Sequence, residues 1–163
     1  HTRRGYRPKN VALVPSESGV LRAQPVAPHA QAAPGLLIYR FTHSMYYANA
    51  EQLSEEITEL ANHAQPPLRW LCIDASAVDG VDFSAAETLR SIFGILKDKG
   101  IRLVVAQVME DVKDESSYQL GQLFGEDAFY DTIENVLEAY RQQVSAGPAP
   151  DASDLGEGTV HTR

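Results

Sequence analysis

The sequence predicts a single α/β domain with a mixed, mainly parallel β-sheet of about four to six strands and about four helices. Short apolar runs alternate along the chain with longer segments whose apolar residues recur at helical spacing. Strands separated by helices of this length are joined by crossovers, which makes neighbouring strands parallel. The length of 163 residues and the hydrophobic content of 44% are those of about one globular domain.

The first 34 residues predict a basic leader ahead of the main domain. They carry five Lys or Arg against one acid, Glu17, whereas residues 35–144 carry 8 against 18 and residues 145–163 carry one against three. A basic segment before an acidic body is typical of an interaction arm or of a chain lying at anionic lipid headgroups. Residues 11–14 predict a short edge strand stopped by Pro15, and the Pro- and Ala-rich residues 23–34 predict a linker.

The domain body, residues 35–144, opens with two predicted strands and a helix. Residues 36–39 follow the turn signal of Pro34 and Gly35 as a buried strand, and residues 44–47 predict a second strand. A helix should begin at Asn49, which is a good N-cap, and end before the prolines at 66 and 67. Its apolar face comprises Leu53, Ile57, Leu60, Ala61 and Ala64.

The second half continues the alternation. Residues 70–73 predict a strand buried on both faces, and residues 101–108 predict another. A helix lies between them and is closed by Gly100. A looser helical pattern follows, carried by Leu120, Leu123 and Phe124, and then a final helix on Ile133, Val136, Leu137, Tyr140 and Val144. Asp131 or Thr132 would cap the final helix, and residues 145–163 predict a disordered tail.

Most catalytic and metal-binding patterns are absent from the sequence. It has no glycine-rich phosphate loop and no G-x-S-x-G nucleophile elbow, and its five histidines never fall at metal-ligand spacing. A net charge of −8 argues against nucleic acid as a partner. The one cysteine, Cys72, excludes an internal disulfide, and no apolar stretch approaches the roughly 20 residues of a membrane span. We therefore expect no catalytic site and no metal site.

Two local features allow a phosphate chemistry. Asp74 ends a predicted buried strand, where a receiver domain carries its phospho-accepting aspartate, but the acidic pair that would hold Mg²⁺ is missing after the first strand. Ser84 and Glu87 have the spacing of a capping box at a helix start. The same helix start would stabilise a phosphate on Ser84 or on a bound ligand, so capping and phosphate binding both remain open there.

Three segments together resemble a STAS domain, the fold of anti-sigma-factor antagonists and of the cytoplasmic C-terminal domain of SulP anion transporters. The first is PGLLIYRF at 34–41 followed by MYYANA at 45–50, which is similar to the transporter branch. The second is LCIDASAV at 71–78 leading to VDFS at 81–84, and the third is FYDTIENV at 129–136. The resemblance covers about residues 9–143, and the start at His1 is expected of a piece of a longer protein.

The resemblance implies roles for four residues. Ser84 matches the serine that antagonist-type domains phosphorylate, and Asp82 matches the aspartate ahead of it. The antagonists read Asp-Ser-Ser-Gly there, whereas this chain has Phe83 and Ala85 in place of the first small residue and the glycine, which counts against phosphorylation. Some family members bind guanine or adenine nucleotides near this loop, which implies weak GTP or ATP binding by Asp74, Ser76, Asp82 and Ser84.

Two functions follow from the resemblance. The first is a non-catalytic regulatory domain at the cytoplasmic face of the cell membrane, within a transporter of sulfate or a related anion. Its partners would be the membrane domain of that parent, a second copy through the parent, and regulatory proteins. The alternative is a soluble anti-sigma-factor antagonist that switches partners when Ser84 is phosphorylated. An enzymatic function such as nucleotide hydrolysis ranks third, because no general base or ligand set supports it.

Overall fold

A computed structural model describes residues 10–40, 47–76, 83–107 and 125–146, with side chains except at 47–50, 83–88 and 126. These residues form six strands: β1 (Val11–Pro15), β2 (Leu21–Pro25), β3 (Leu36–Arg40), β4 (Trp70–Asp74), β5 (Arg102–Ala106) and β6 (Phe129–Tyr130). They also form three α-helices, α1 (Tyr47–His63), α2 (Phe83–Asp98) and α3 (Ile133–Ala146), and a 3₁₀ turn at Glu126–Ala128. The predicted α/β class and strand number are confirmed.

The six strands make one mixed sheet in the order β2-β1-β3-β4-β5-β6. Strands β3 to β6 are parallel, with Arg40 opposite Asp74 and Asp74 opposite Ala106. Strand β1 runs antiparallel to both β3 and β2. The carboxyl ends of β3, β4 and β5 therefore meet at one edge of the sheet, which we call the carboxyl edge.

The hairpin of β1 and β2 corrects the prediction of a linker over residues 23–34. Ala23, Gln24 and Pro25 pair with β1 as part of β2, and Ala30 and Ala32 are buried. Strand β1 is accordingly an inner strand rather than an edge strand. Gly19, with φ of 90°, closes the connecting turn and donates its N–H to Ser16 O at 2.9 Å. Residues 11–25 thus extend the sheet of the main domain.

The helices divide between the two faces of the sheet. Helices α1 and α2 cover the face that carries Leu37, Leu71 and Leu103. Helix α3 covers the other face, which carries Ile38, Cys72 and Val104. Successive strand residues point to opposite faces, so the continuous apolar runs predicted for β3 to β5 supply both cores.

Of the four helix caps that the sequence suggests, those at Gly100 and Thr132 agree with the structure. Helix α1 begins at Tyr47, so Asn49 lies inside its first turn instead of preceding the helix. Gly100, with φ of 77°, follows the end of α2, where its N–H donates to Lys97 O at 3.0 Å. Thr132 caps α3, since its Oγ1 accepts the N–H of Asn135 at 3.0 Å.

A glycine and a tyrosine fasten α3 to the start of β3. Tyr140 donates its hydroxyl to Pro34 O at 2.6 Å and stacks edge-on against Trp70 with ring centroids 5.3 Å apart. Gly35 lies directly beneath that hydroxyl with φ of 90°, and a Cβ at this position would overlap the hydroxyl oxygen. Only a residue without a side chain suits both the backbone conformation and the space.

Several sequence predictions fall outside the described residues. These are the strand at 44–46, the helix carried by Leu120, Leu123 and Phe124, and the tail beyond 146. Tyr47, the last residue of that predicted strand, is helical. Among the described helices, none combines the length and apolar character needed to cross a membrane.

Candidate functional site

The candidate site lies at the carboxyl edge, where chains leave three neighbouring parallel strands. Open α/β sheets commonly bind ligands at this edge, because loops of adjacent crossovers converge there. Arg40 ends β3, Asp74 ends β4, and Gln107 directly follows β5. The registers of the strands bring the three residues side by side.

Asp74 is the centre of this group, and its side chain has no exposed surface. Its Oδ2 accepts a hydrogen bond from Arg40 Nε at 2.8 Å. Its Oδ1 accepts from Gln107 Nε2 at 2.8 Å and from the backbone N–H of Ser76 at 3.0 Å. Both carboxylate oxygens are thus occupied by donors from the ends of three strands.

These donors determine the protonation of Asp74. Burial by itself would raise the pKa of the carboxyl, but the Ser76 backbone N–H, Arg40 and Gln107 together outweigh burial and hold the pKa below its usual value. The carboxylate is therefore ionised at neutral pH, and Arg40 supplies the compensating charge. Because Arg40 is 36% exposed, the pair is buried on one side only.

The four residues predicted for a phosphate or nucleotide loop have different outcomes. The structure brings Asp74 and Ser76 together through the turn hydrogen bond, and Ser76 is exposed. Asp82 lies outside the described residues. The backbone of Ser84 lies in the first turn of α2, which begins at Phe83, whereas a capping box needs the serine ahead of the helix. The side chain of Ser84 is outside the described part.

Sequence reasoning did not single out Arg40 or Gln107. Arg40 lies in the PGLLIYRF segment. Because side chains alternate between the two faces along a strand, the sequence could have placed Arg40 on the same face as Asp74. Gln107 gives no such signal, because its role depends on an unusual backbone conformation. Its φ of 64° is rare for a residue with a side chain, and its N–H donates to Tyr130 O at 3.1 Å.

A second polar group lies on the opposite face of the same edge. Tyr39, fully buried on β3, donates its hydroxyl to Glu56 of α1, and Asn10 Nδ2 donates to the Tyr39 hydroxyl oxygen at 2.6 Å. Burial, and then the Glu56 carboxylate, raise the pKa of Tyr39 far above its usual value. The neutral phenol thus joins the start of β1 to α1.

The arrangement is suited to holding loops in place. A phospho-accepting aspartate needs an accessible oxygen, and Asp74 offers none, so the geometry disfavours the receiver interpretation. Within the described ranges, no three His, Cys, Asp or Glu residues are grouped so that they could hold a metal ion. Among the residues that the structure describes at this edge, Arg40 is a partly exposed cation and is the one best suited to an anionic ligand.

The family follows from comparison with known proteins. A family model described as the STAS domain matches residues 27–136. The chain belongs to the STAS domain family. The resemblance predicted from the three sequence segments is thereby confirmed.

Three similar proteins are 13 to 26% identical to this chain over the aligned residues. A probable sulfate transporter of Mycobacterium tuberculosis is 26% identical over 117 residues, covering 71% of this chain and 21% of that protein. The SulP transporter STAS domain of Vibrio cholerae superimposes with a TM-score of 0.59 at 18% identity, covering 72% of this chain and 89% of that one. The anti-sigma factor antagonist SpoIIAA in its unphosphorylated form gives 0.56 at 13% identity, covering 69% and 93%. This STAS chain thus spans about a fifth of the curated transporter's length.

Proposed function

We propose that this STAS domain is the cytoplasmic regulatory and interaction domain of a membrane transporter for sulfate or a related anion, and that it is not catalytic. The observation that carries the proposal is the match to a sulfate transporter of which the chain spans only 21%. A domain of this size in such a protein leaves the transport path to the rest of the chain.

The geometry of the carboxyl edge supports regulation rather than chemistry. Both carboxylate oxygens of Asp74 accept hydrogen bonds, from Arg40, Gln107 and the Ser76 N–H. Asp74 therefore fixes the loop leaving β4 instead of reacting. The body of the domain carries 18 acids against 8 Lys or Arg over residues 35–144, which repels sulfate from its surface. An effect on transport would therefore act through contact with the membrane domain.

The expected location is the cytoplasmic face of the cell membrane. Residues 1–34 hold five of the chain's 14 Lys and Arg, and basic segments next to membrane spans favour that side. Anionic headgroups would attract the basic leader while repelling the acidic body. The partners in this proposal are the parent's membrane domain, a second copy through the parent, and regulatory proteins.

Uptake measurements on the complete parent protein test the proposal. The full reading frame would be expressed in cells that lack their own sulfate transporter, with and without this domain and with Asp74→Asn, and uptake of labelled sulfate measured at matched membrane levels. We expect the deletion and Asp74→Asn to change uptake, while the conservative Thr132→Ser leaves it unchanged. A reading frame without apolar stretches of about 20 residues would overturn the proposal.

Weak GTP or ATP binding at the loop of Asp74, Ser76, Asp82 and Ser84 is the finer part of this proposal. Support comes from the exposed Ser76 and from Arg40, whose charge could meet a phosphate at this edge. An NMR titration with GTP and with ATP should move the amide resonances of these four residues and leave that of Gly100, which precedes β5 at the opposite edge of the sheet, unmoved. Resonances that stay in place at saturating nucleotide would rule this binding out.

The alternative function is a soluble antagonist switched by phosphorylation of Ser84. The placement of Ser84 in the first turn of α2 favours it, since a phosphate is stabilised at a helix start. The likeness to SpoIIAA concerns the fold alone. Incubation with a kinase-like anti-sigma factor and ATP distinguishes the two functions: phosphate incorporation that is abolished by Ser84→Ala favours the antagonist, and its absence favours the transporter domain.

A further inference from the structure

The outer edge of β2 is an open sheet edge. Strand β2 pairs with β1 on one side, and no described strand lies on its other side. The N–H of Ser16 donates to Val20 O at 2.8 Å and that of Val26 to Asn10 O at 3.4 Å. Hydrogen-bonded pairs alternate in an antiparallel ladder, so Arg22 and Gln24 direct their backbone groups at β1.

The remaining residues of β2 direct their backbone groups outward. Leu21 and Ala23 each present an N–H and a carbonyl, whereas Pro25 presents a carbonyl alone because proline has no N–H. Edge strands with free donors and acceptors are templates for another strand. A strand that pairs here must accept from the N–H groups of Leu21 and Ala23, and it receives no N–H from Pro25.

We propose that a second copy of this chain supplies that strand, so that the two β2 strands pair antiparallel about a two-fold axis at Ala23. Ala23 then exchanges N–H and carbonyl with Ala23 of the second copy. Leu21 donates its N–H to the carbonyl of Pro25 of the second copy, while the carbonyl of Leu21, at the end of the strand pair, bonds to water because Pro25 has no N–H to return. The edge is thus complementary to itself despite its proline. This inference goes beyond the proposed function and does not rest on it.

Side chains agree with this pairing on both faces of the sheet. Val20 is 60% exposed, which is unusual for a large apolar residue, and the pairing sets it opposite Val26 of the second copy. Val26 packs against the core under α1, so the contact continues an existing apolar surface. On the other face Leu21, which packs against the core under α3, meets Pro25. Apolar cross-strand pairs of this kind stabilise antiparallel sheets.

Charge selects this register over its neighbour. In the proposed register Arg22 lies opposite Gln24 of the second copy. A shift that centres the axis on Arg22 would set two arginines directly opposite each other, which is destabilising. Residues 10–34 carry one acid, Glu17, and one cation, Arg22, while the net charge of the whole chain is −8. The hairpin is therefore nearly neutral within an acidic molecule, so two copies repel each other little when they meet there.

A strand pair of this length buries less surface than a stable interface needs, so association of the free chain should be weak, with a Kd on the order of 0.1 to 1 mM. Screening of the net charge by salt should strengthen it. If a larger assembly holds two copies together, the effective concentration of one copy beside the other reaches the millimolar range. Most of the strand pairs would then form.

Sedimentation of the 163-residue chain at rising concentration tests the inference. We expect a monomer–dimer equilibrium that Ala23→Pro abolishes. Because the Ala23 N–H points away from β1, this proline removes no hydrogen bond within the chain, and edge strands tolerate proline at such positions. Ala23→Ser keeps the N–H and should dimerise normally. Circular dichroism of both variants would verify that they fold.

Two substitutions at one position test the register. Gln24→Glu sets a carboxylate opposite Arg22 of the second copy and should tighten the dimer roughly fivefold, since the symmetric pairing contains the contact twice. Gln24→Arg sets like charges opposite each other and should weaken it roughly fivefold. Hydrogen exchange adds a local readout: the Leu21 and Ala23 amides should become protected as concentration rises, whereas Arg22 and Gln24 are protected throughout.

Three outcomes would overturn the inference. The first is a chain that remains monomeric up to about 1 mM. The second is a dimer that Ala23→Pro leaves intact, which would place the interface elsewhere. The third is protection of the Leu21 and Ala23 amides in dilute monomer, which would mean that another segment of the same chain covers the edge.

Discussion

Arg40 and Asp74 occupy paired positions on adjacent parallel strands, and Arg40 Nε lies 2.8 Å from Asp74 Oδ2. Strand register alone brings the two residues together, since each is the last residue of its strand. The ion pair lies at the carboxyl edge of the core that α3 covers, and the rest of that core is apolar. A fully buried carboxylate with an arginine on one side and a backbone N–H on the other is held in a single orientation.

Asp74→Asn should destabilise the domain by about 2 to 4 kcal/mol, because an amide at this position sets N–H groups against donors from its neighbours. Arg40→Met should cost less, about 1 to 3 kcal/mol, since Arg40 is partly solvated. Urea unfolding measures both. Asp127→Asn is the matched control. Asp127 is 84% exposed in its ion pair with Arg102, so the substitution should lower the free energy of unfolding by at most about 1 kcal/mol. Equal losses for Asp74 and Asp127 would contradict the assigned geometry.

The stability difference between the native chain and Asp74→Asn should depend on pH. The folded-state pKa of Asp74 is lowered, so its contribution is fully present above the unfolded carboxyl pKa and is lost as pH falls through the folded pKa. The difference should be constant above about pH 5 and shrink at lower pH. Urea midpoints measured from pH 7 to pH 3 give this curve. A difference that grows on acidification would mean that Asp74 is protonated in the native state.

Gly35→Ala should destabilise the domain by about 2 to 4 kcal/mol, because it forces a side chain into a positive-φ position and against the Tyr140 hydroxyl. Tyr140→Phe alone should cost about 1 kcal/mol for the lost hydrogen bond to Pro34 O. The double variant Gly35→Ala/Tyr140→Phe should be more stable than the sum of the single losses predicts, since the overlapping hydroxyl is gone. Thermal unfolding of the four proteins measures this coupling, and strict additivity would rule the contact out.

Thr132→Ala should lower the free energy of unfolding by about 1 kcal/mol, because the N–H of Asn135 loses its acceptor at the start of α3. Thr132→Ser keeps the oxygen and should restore most of the stability. Urea unfolding of the three proteins separates the effect of the cap from that of the side-chain methyl group. A serine variant as unstable as the alanine variant would show that the hydroxyl is not the stabilising group.

Apolar runs and helical periodicity in the sequence predicted most of the strands and helices that the structure contains. The apolar runs of β3, β4 and β5 and the periodicity of all three described helices mark the elements that the structure contains. The β1–β2 hairpin escaped prediction because its second strand has little apolar pattern and forms by pairing with β1. Pro15 and Pro25 suggested that the strands end or are absent there. In both prolines, however, the backbone nitrogen faces away from the β1–β2 ladder, so the lack of an N–H interrupts none of its hydrogen bonds.

The candidate site was predictable only in part. Asp74 and Ser76 are close in sequence, so their hydrogen bond follows from a turn at the end of a strand. Arg40 and Gln107 reach Asp74 from 34 and 33 positions away along the chain. Pairing across three strands creates these contacts, and no local pattern around either residue encodes it.

The inner position of β1 has a mechanical consequence. The chain enters the described fold at Asn10 and continues directly into β1, which is bonded to β2 on one side and to β3 on the other. Tension applied to the chain ahead of Asn10 along the strand axis would load both ladders in shear, so that several hydrogen bonds must break at once. Asn10 also holds Tyr39 beside the end of β3, so the first movement under load would be felt at the carboxyl edge. A pull on the chain ahead of Asn10 would therefore disturb the hydrogen bond to Tyr39 before it separates the strands.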